Sequence, residues 1–166
     1  MKKNVMDDDF LRELISDIDF EVKVDWECRF TGQKCHTRLD GVSKSRNVIV
    51  ELKTTTNAST PKIIQEIRKF MYHHKAWFQK EGFEQGLGRG KLDHYLFIFI
   101  EKQAPFYGVN TVRLGEETMK SAGVEVVDLL DEIKKCKEKD YFYGYEGEIA
   151  ENNELGITPI EIFKTW

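Results

Sequence analysis

The chain has 166 residues, a length that fits one domain with a sizeable core. With 40% hydrophobic and 33% charged residues the composition is globular, which excludes a disordered chain, and no apolar run approaches the roughly 20 residues that span a bilayer. The net charge of -4 does not announce a nucleic-acid binder, but phosphate binding depends on a local patch, and an acidic metal site lowers the total while sitting beside a basic groove.

The first nine residues end in Asp7-Asp8-Asp9 with no apolar core before them, so no signal peptide is expected and the cytoplasm is the expected location. Cys28, Cys35 and Cys136 are odd in number and lack CxxC spacing, which reads as free thiols rather than a structural zinc or an iron–sulfur cluster. Residues 7–18 predict a short amphipathic helix with Phe10, Leu11, Leu14, Ile15 and Ile18 on one side. A strand over 20–30 follows, with Phe20, Val22, Val24 and Trp26 alternating with charged residues. Thr31-Gly32-Gln33 turns the chain into a second strand, 34–40, and the stretch 41–47 turns it into a third, 48–54. Together these three predict an antiparallel meander. Ser59-Thr60-Pro61 starts a helix that the apolar spacing carries to about residue 80. The glycine-rich stretch 82–91 reads as a loop, strands are expected at 94–101 and 106–114, and a long helix at 116–139 contains Gly123 as a weak point. Residues 141–166 are aromatic but irregular and receive no assignment.

The segment that carries chemistry is Leu39-Asp40-Gly41 followed by Val48-Ile49-Val50-Glu51-Leu52-Lys53-Thr54. Side chains alternate along a strand, so Val48, Val50 and Leu52 form an aliphatic face that wants the core, while Ile49, Glu51 and Lys53 share the other. Glu51 and Lys53 then project together, roughly 6.5–7 Å apart along the strand. If strands two and three pair across their turn, Asp40 comes to lie near Glu51. That arrangement suits phosphodiester hydrolysis. Magnesium takes carboxylate oxygens at roughly 2.1 Å, and Asp40, Glu51 and the main-chain carbonyl of Leu52 supply oxygens of that kind. Lys53 has the reach to orient or help deprotonate a water, or to neutralise the charge at phosphorus. The bland alternative is an exposed salt bridge on a strand, and spacing alone does not decide between them.

At these residues the sequence resembles the PD-(D/E)XK nuclease superfamily, with Leu39 where the motif has proline. More narrowly it is similar to phage-type exonuclease VIII, the RecE-like DNA exonucleases. The likeness runs through Thr31 to Asp40 and Val50 to Ser59, resumes at Tyr72-His73-His74-Lys75-Ala76-Trp77-Phe78, and continues at Glu101 to Val109, Leu129-Leu130, Cys136 and Tyr145. It implies a restriction-endonuclease-like α/β core, a mixed central sheet of about five strands flanked by helices. It also implies a magnesium-dependent deoxyribonuclease, manganese being a substitute, that degrades duplex DNA ends in phage or prophage recombination or repair. By the resemblance Asp40 and Glu51 are metal ligands, Lys53 is the catalytic lysine, and Thr54, Thr55, Tyr72 and Lys75 lie along the DNA. Lys75 stands where the family has glutamine in a Tyr-His-x-Gln-Ala pattern, and lysine cannot accept a hydrogen bond as the amide does. The family also carries more helical sequence upstream with a His or Glu that completes the metal site; here Glu13 is the remaining candidate, with Glu21 and Glu27 behind it. Relatives act as rings, so a homo-oligomer and a single-strand annealing partner protein are in keeping with the resemblance. A catalytically degenerate DNA-binding module and a structure-directed endonuclease are the alternatives.

Gly86-Leu87-Gly88-Arg89-Gly90-Lys91 lacks GxxxxGK[ST] and precedes a strand, so it reads as a connector or as a basic loop that touches DNA through Arg89 and Lys91. His73 and His74, adjacent on a helix, are expected to point apart, and without HExxH no zinc site is expected. His36 reads as a surface histidine or a neighbour of the metal, and Lys62, Arg68, Lys69 and Lys75 as a basic helix side facing either phosphates or solvent.

Overall fold

The structure, a computed structural model, describes residues 7–103 and 107–142. The expectations at residues 104–106, at Tyr145 and for most of the tail lie outside them. Helix α1 (Asp9–Ser16) is capped by Asp8, whose carboxylate accepts from the Leu11 N–H at 3.0 Å. The chain then enters β1 (Ile18–Glu27), β2 (Lys34–Ser43) and β3 (Val48–Thr55). Helices α2 (Thr60–Lys69) and α3 (Tyr72–Gly86) cross to β4 (His94–Glu101), β5 (Val109–Arg113) returns, and α4 (Glu116–Glu138) closes the order. The five strands form one mixed sheet in the order β1-β2-β3-β4-β5, antiparallel except for the parallel β3–β4 pair. A parallel pair needs a crossover, and α2 with α3 provides it.

Helix α1 covers one face of the sheet, placing Leu11 and Leu14 on Ile18, Val48, Val50 and Ile98. Helices α2 and α3 cover the other, placing Ile63, Ile67, Ala76 and Phe83 on Leu39, Ile49, Phe97 and Phe99. Both faces of β3 are therefore interior, as is usual where strands run parallel. Ile49 is as deeply buried as Val48 and Val50. The expected core face fails at the carboxyl end: Leu52, expected inside with Val48 and Val50, is 41% exposed, while Glu51 is fully buried. An eight-residue helix is only about 12 Å long, and α1 has just eight residues, so its cover ends before Leu52.

Other boundaries shift for physical reasons. The helix expected over residues 61–80 is two helices, because Met71 takes a left-handed backbone (φ 53°) that no helix can pass through. Phe20 is exposed, so the expected alternation of β1 begins only at Val22. Helix α3 also runs through Gly82 to Gly86, so the loop starts late. These glycines permit close approach rather than motion: a Cβ on Gly82 would meet the Trp26 ring at 3.0 Å, and one on Gly86 would fall 2.9 Å from the Asp25 carbonyl.

Gly123 on α4 plays the same part against α3. A Cβ there would sit 2.4 Å from Nε1 of the buried Trp77. Gly123→Ala therefore sets a gain of about 1 kcal/mol in helix propensity against overpacking of about 1–3 kcal/mol. The expected result in chemical denaturation is a net loss of about 1 kcal/mol; a raised midpoint would show that Trp77 yields freely.

Candidate active site

Glu51 projects from β3 into the layer beneath α3 and is 0% exposed. Its Oε1 receives two ammonium groups, Lys53 from the same strand and Lys75 from α3. Its Oε2 lies 3.5 Å from the Tyr95 hydroxyl, which donates at 2.5 Å to Oε1 of the fully buried Gln79. Gln79 in turn donates through Nε2 to the Arg38 carbonyl of β2 at 3.0 Å. A chain of polar contacts thus runs from β2 through α3 and β4 to Glu51.

Asp40 arrives by a distortion. The β2–β3 ladder includes Gly41↔Val50 and Val42↔Ile49, and past Gly41 the Asp40 carboxylate takes over, accepting from the Leu52 N–H at 3.0 Å. Alternation along β2 breaks here: Leu39 and Gly41 have the same parity, yet Leu39 belongs to the core under α2 and α3, whereas Gly41 abuts Ile18 and Val50 on the α1 side. Glu21, between the pairs Phe20↔Gly41 and Val22↔Leu39 and hence opposite Asp40, has φ 57°. A left-handed non-glycine residue inside a strand marks a local kink of the kind that re-aims a side chain.

The three residues singled out by spacing are therefore brought together. Asp40 holds the backbone between Glu51 and Lys53. In extended backbone the N–H and C=O of one residue point to the same side, so the Leu52 carbonyl also faces Asp40. Two carboxylates and a carbonyl make a hard, all-oxygen donor set, which suits magnesium better than zinc. Seating a dication there requires an ammonium group to leave Glu51. Lys75 is the freer of the two, its side chain 41% exposed against 18% for Lys53, and Lys53 also lies 4.8 Å from the centre of the Tyr72 ring.

Burial, then the charges of Glu51 and Asp40, push the Tyr95 phenol well above its ordinary pKa, so it stays a neutral donor. Burial, then Glu66 and Glu51, raise Tyr72 in the same direction. Tyr95 and Gln79 were not visible as site residues in the sequence. The available signal was Gln79 four residues after Lys75, hence on the same side of one helix.

Other candidates fall elsewhere. Glu13 is on α1, which packs on the opposite face of the sheet, and its Oε1 pairs with Arg46 at 2.8 Å. It does not reach Glu51. Glu21 pairs with Arg38 at 2.8 Å, and Glu27 is exposed. Thr54 is exposed, but Thr55 is buried and donates to Glu66 at 2.7 Å, which removes it from any surface a phosphate meets. Arg89 lies in the loop but does not reach outward from it: its guanidinium donates to the carbonyls of Ser43, Lys44 and Arg46 and pins the β2–β3 turn. Lys91 is exposed near the start of β4, where its carbonyl accepts from Asn47. His36 pairs with Asp25 at the surface at 2.8 Å.

Comparison with protein families matches residues 1–152 to a PDDEXK-like domain of unknown function, DUF3799. No curated protein matches the chain. Among solved structures, the chain is similar to a presumed exonuclease from Eubacterium rectale, with a TM-score of 0.70, 16% identity and coverage of 85% of this chain. It spans 53% of that protein, so the likeness is one of fold over about half its length. A second structure, SSO0001, superposes at a TM-score of 0.42 with 14% identity over 77% of this chain and 55% of its own, too distant to carry an argument.

Tyr95→Phe removes the hydroxyl shared by Gln79 and Glu51 and leaves the buried Gln79 Oε1 without that donor. A stability loss of about 1–3 kcal/mol is expected in urea unfolding, and an unchanged midpoint would show that the hydroxyl contributes nothing.

Proposed function

The chain belongs to the PDDEXK-like DUF3799 family, and from that premise we propose that it hydrolyses DNA phosphodiester bonds with magnesium held by Asp40, Glu51 and the Leu52 carbonyl. The observation that carries this reading is the Asp40 carboxylate bound to the backbone N–H between Glu51 and Lys53. A surface salt bridge would need no second carboxylate delivered by a kinked neighbouring strand. The sheet order, with its parallel β3–β4 pair, agrees with the same reading.

When bound, the metal supplies Lewis acidity and makes water a better nucleophile. The protein's own groups do the rest. Glu51 and the Tyr72 ring hold the Lys53 ammonium at the mouth of the site, where it steadies the charge that develops on the phosphate. Lys75 neutralises Glu51 while the metal is away and turns outward to a backbone phosphate when it arrives. Gln79 and Tyr95 keep Glu51 oriented from behind. Exonucleolytic action on duplex ends, in the manner of RecE-like enzymes serving phage or prophage recombination, is the preferred form. Its supports are the resemblance at residues 31–59 and 72–78 and the name of the Eubacterium rectale protein. An assembly of several copies and a single-strand annealing partner belong to that form of the proposal.

A second reading is an inert DNA-gripping domain, and one observation favours it: two ammonium groups already satisfy the buried carboxylate. End-labelled linear duplex and closed circular duplex, each with magnesium or with EDTA, separate the readings. Loss of linear DNA alone, abolished by EDTA, supports the exonuclease. Cutting of both forms indicates an endonuclease, and binding without cutting indicates the inert domain. Lys53→Ala is expected to lower cleavage by about 10²–10³-fold with folding intact; undiminished turnover would reject its assigned role. Lys75→Gln, which installs the glutamine of the RecE-like pattern that the sequence resembles, is expected to retain magnesium-dependent cleavage. It should also reduce the slope of log affinity for DNA against log salt by about 1, and an unchanged slope would show that Lys75 never meets a phosphate.

A further inference from the structure

Helices α3 and α4 bring together a second group of ligating side chains. His73 and His74, expected to point apart, instead have ring centroids 4.4 Å from each other. His74 Nε2 lies 2.7 Å from the Glu125 carboxylate on α4. One ring nitrogen from each histidine and one oxygen of Glu125 all fall within 4.8 Å of one another. Ser121, one turn earlier on α4, reaches the other Glu125 oxygen at 3.5 Å, the kind of outer contact that orients a ligating carboxylate.

A further observation points to a ligand. Nδ1 of His73 is buried and has no hydrogen-bond partner among the described residues. A buried ring nitrogen is either an unpaired donor or an unpaired lone pair, and both are costly. A cation coordinated through Nδ1 itself removes the cost by taking up that lone pair. We propose that His73, His74 and Glu125 form a binding site for a zinc-class divalent cation that clasps the start of α3 to α4.

The donor set selects the ion. Two imidazoles and one carboxylate suit zinc, cobalt or nickel, whereas magnesium favours oxygen ligands and gives up its water reluctantly. The site is therefore chemically distinct from the one around Asp40 and Glu51. Two ligands on one ion at about 2.1 Å each are at most about 4.2 Å apart, so torsional adjustment of the side chains closes the cluster. Three protein ligands leave one position for water. Because Lys75 follows His74 directly, the clasp also fixes the turn of helix that presents Tyr72 and Lys75 to Glu51.

The test uses the full chain and Co2+, whose visible absorption reports coordination by nitrogen and oxygen, in the presence of excess Mg2+. A single equivalent of Co2+ is expected to bind, to be displaced by Zn2+, and to remain bound in Glu51→Gln and Asp40→Asn. His74→Ala is expected to weaken binding by more than about tenfold, the lower end of what outer-sphere changes alone cost. Glu125→Gln, at an exposed position, provides the same comparison where a histidine variant folds poorly. Absence of Co2+ binding in excess Mg2+, binding indifferent to His74→Ala and Glu125→Gln, or binding lost in Glu51→Gln would each overturn the proposal. The arms built on Glu51 and Asp40 keep failure of this site distinct from failure of the nuclease reading.

Discussion

An ionised carboxylate moved out of water loses several kcal/mol of solvation, which only charges or hydrogen bonds close at hand can restore. Glu51 is placed in that position by the strand that carries it, flanked by Val50 and by the Ile49 side of the core. Much of the surrounding structure follows from satisfying it. Lys53 must curl back along its own strand, α3 must run close enough for Lys75 to reach, and Tyr95 and Gln79 must fill the rear. Take away the carboxylate and two ammonium groups, a phenol and an amide lose the reason for their arrangement. The charge is also what makes the site chemically ready, because a group held at such cost in solvation responds strongly to any cation that replaces an ammonium.

The kink at Glu21 and Asp40 is the other half of that readiness. A regular β2 would have continued its ladder along β3 and covered the Leu52 backbone with a carbonyl. Instead the strand swaps faces, and a carboxylate meets the amide. The ladder on either side of Glu21 keeps its register, so the irregularity is confined to the one place where the acid is needed. Arg89 helps from a distance by tying the β2–β3 turn through three carbonyls, which fixes the pairing that sets Asp40 beside Leu52.

How much of this was legible in the sequence depended on range. The common projection of Glu51 and Lys53 was readable because period-two alternation is a local property, and the meander of the first three strands followed from turn residues between alternating runs. The sides of the sheet were not readable. Glu13 looked available because nothing within α1 says which face the helix will cover, and Leu52 looked buried because alternation along β3 does not say where the cover of α1 ends. Met71 hid a helix break behind apolar spacing that continues in phase from Ile67 through Phe70. Arg89 read as a loop cation because its partners are more than forty residues away. Gly82 and Gly86 of α3 read as loop and Gly123 of α4 as a weak point because the rings and carbonyls they admit belong to other elements. Tyr95 and Gln79 are ordinary in the sequence and acquire meaning only as a pair.

The left-handed corner at Met71 separates two angular phases that a continuous helix would lock together. Lengthening α2 by a single residue would rotate its own apolar stripe by about 100°. The corner instead gives α3 a bearing of its own, so Tyr72, Lys75 and Gln79 face the sheet on a phase different from that of α2. The two arms of the crossover thus answer to different demands: the first seats Ile63 and Ile67 in the core, while the second is held to the geometry of the charge it serves.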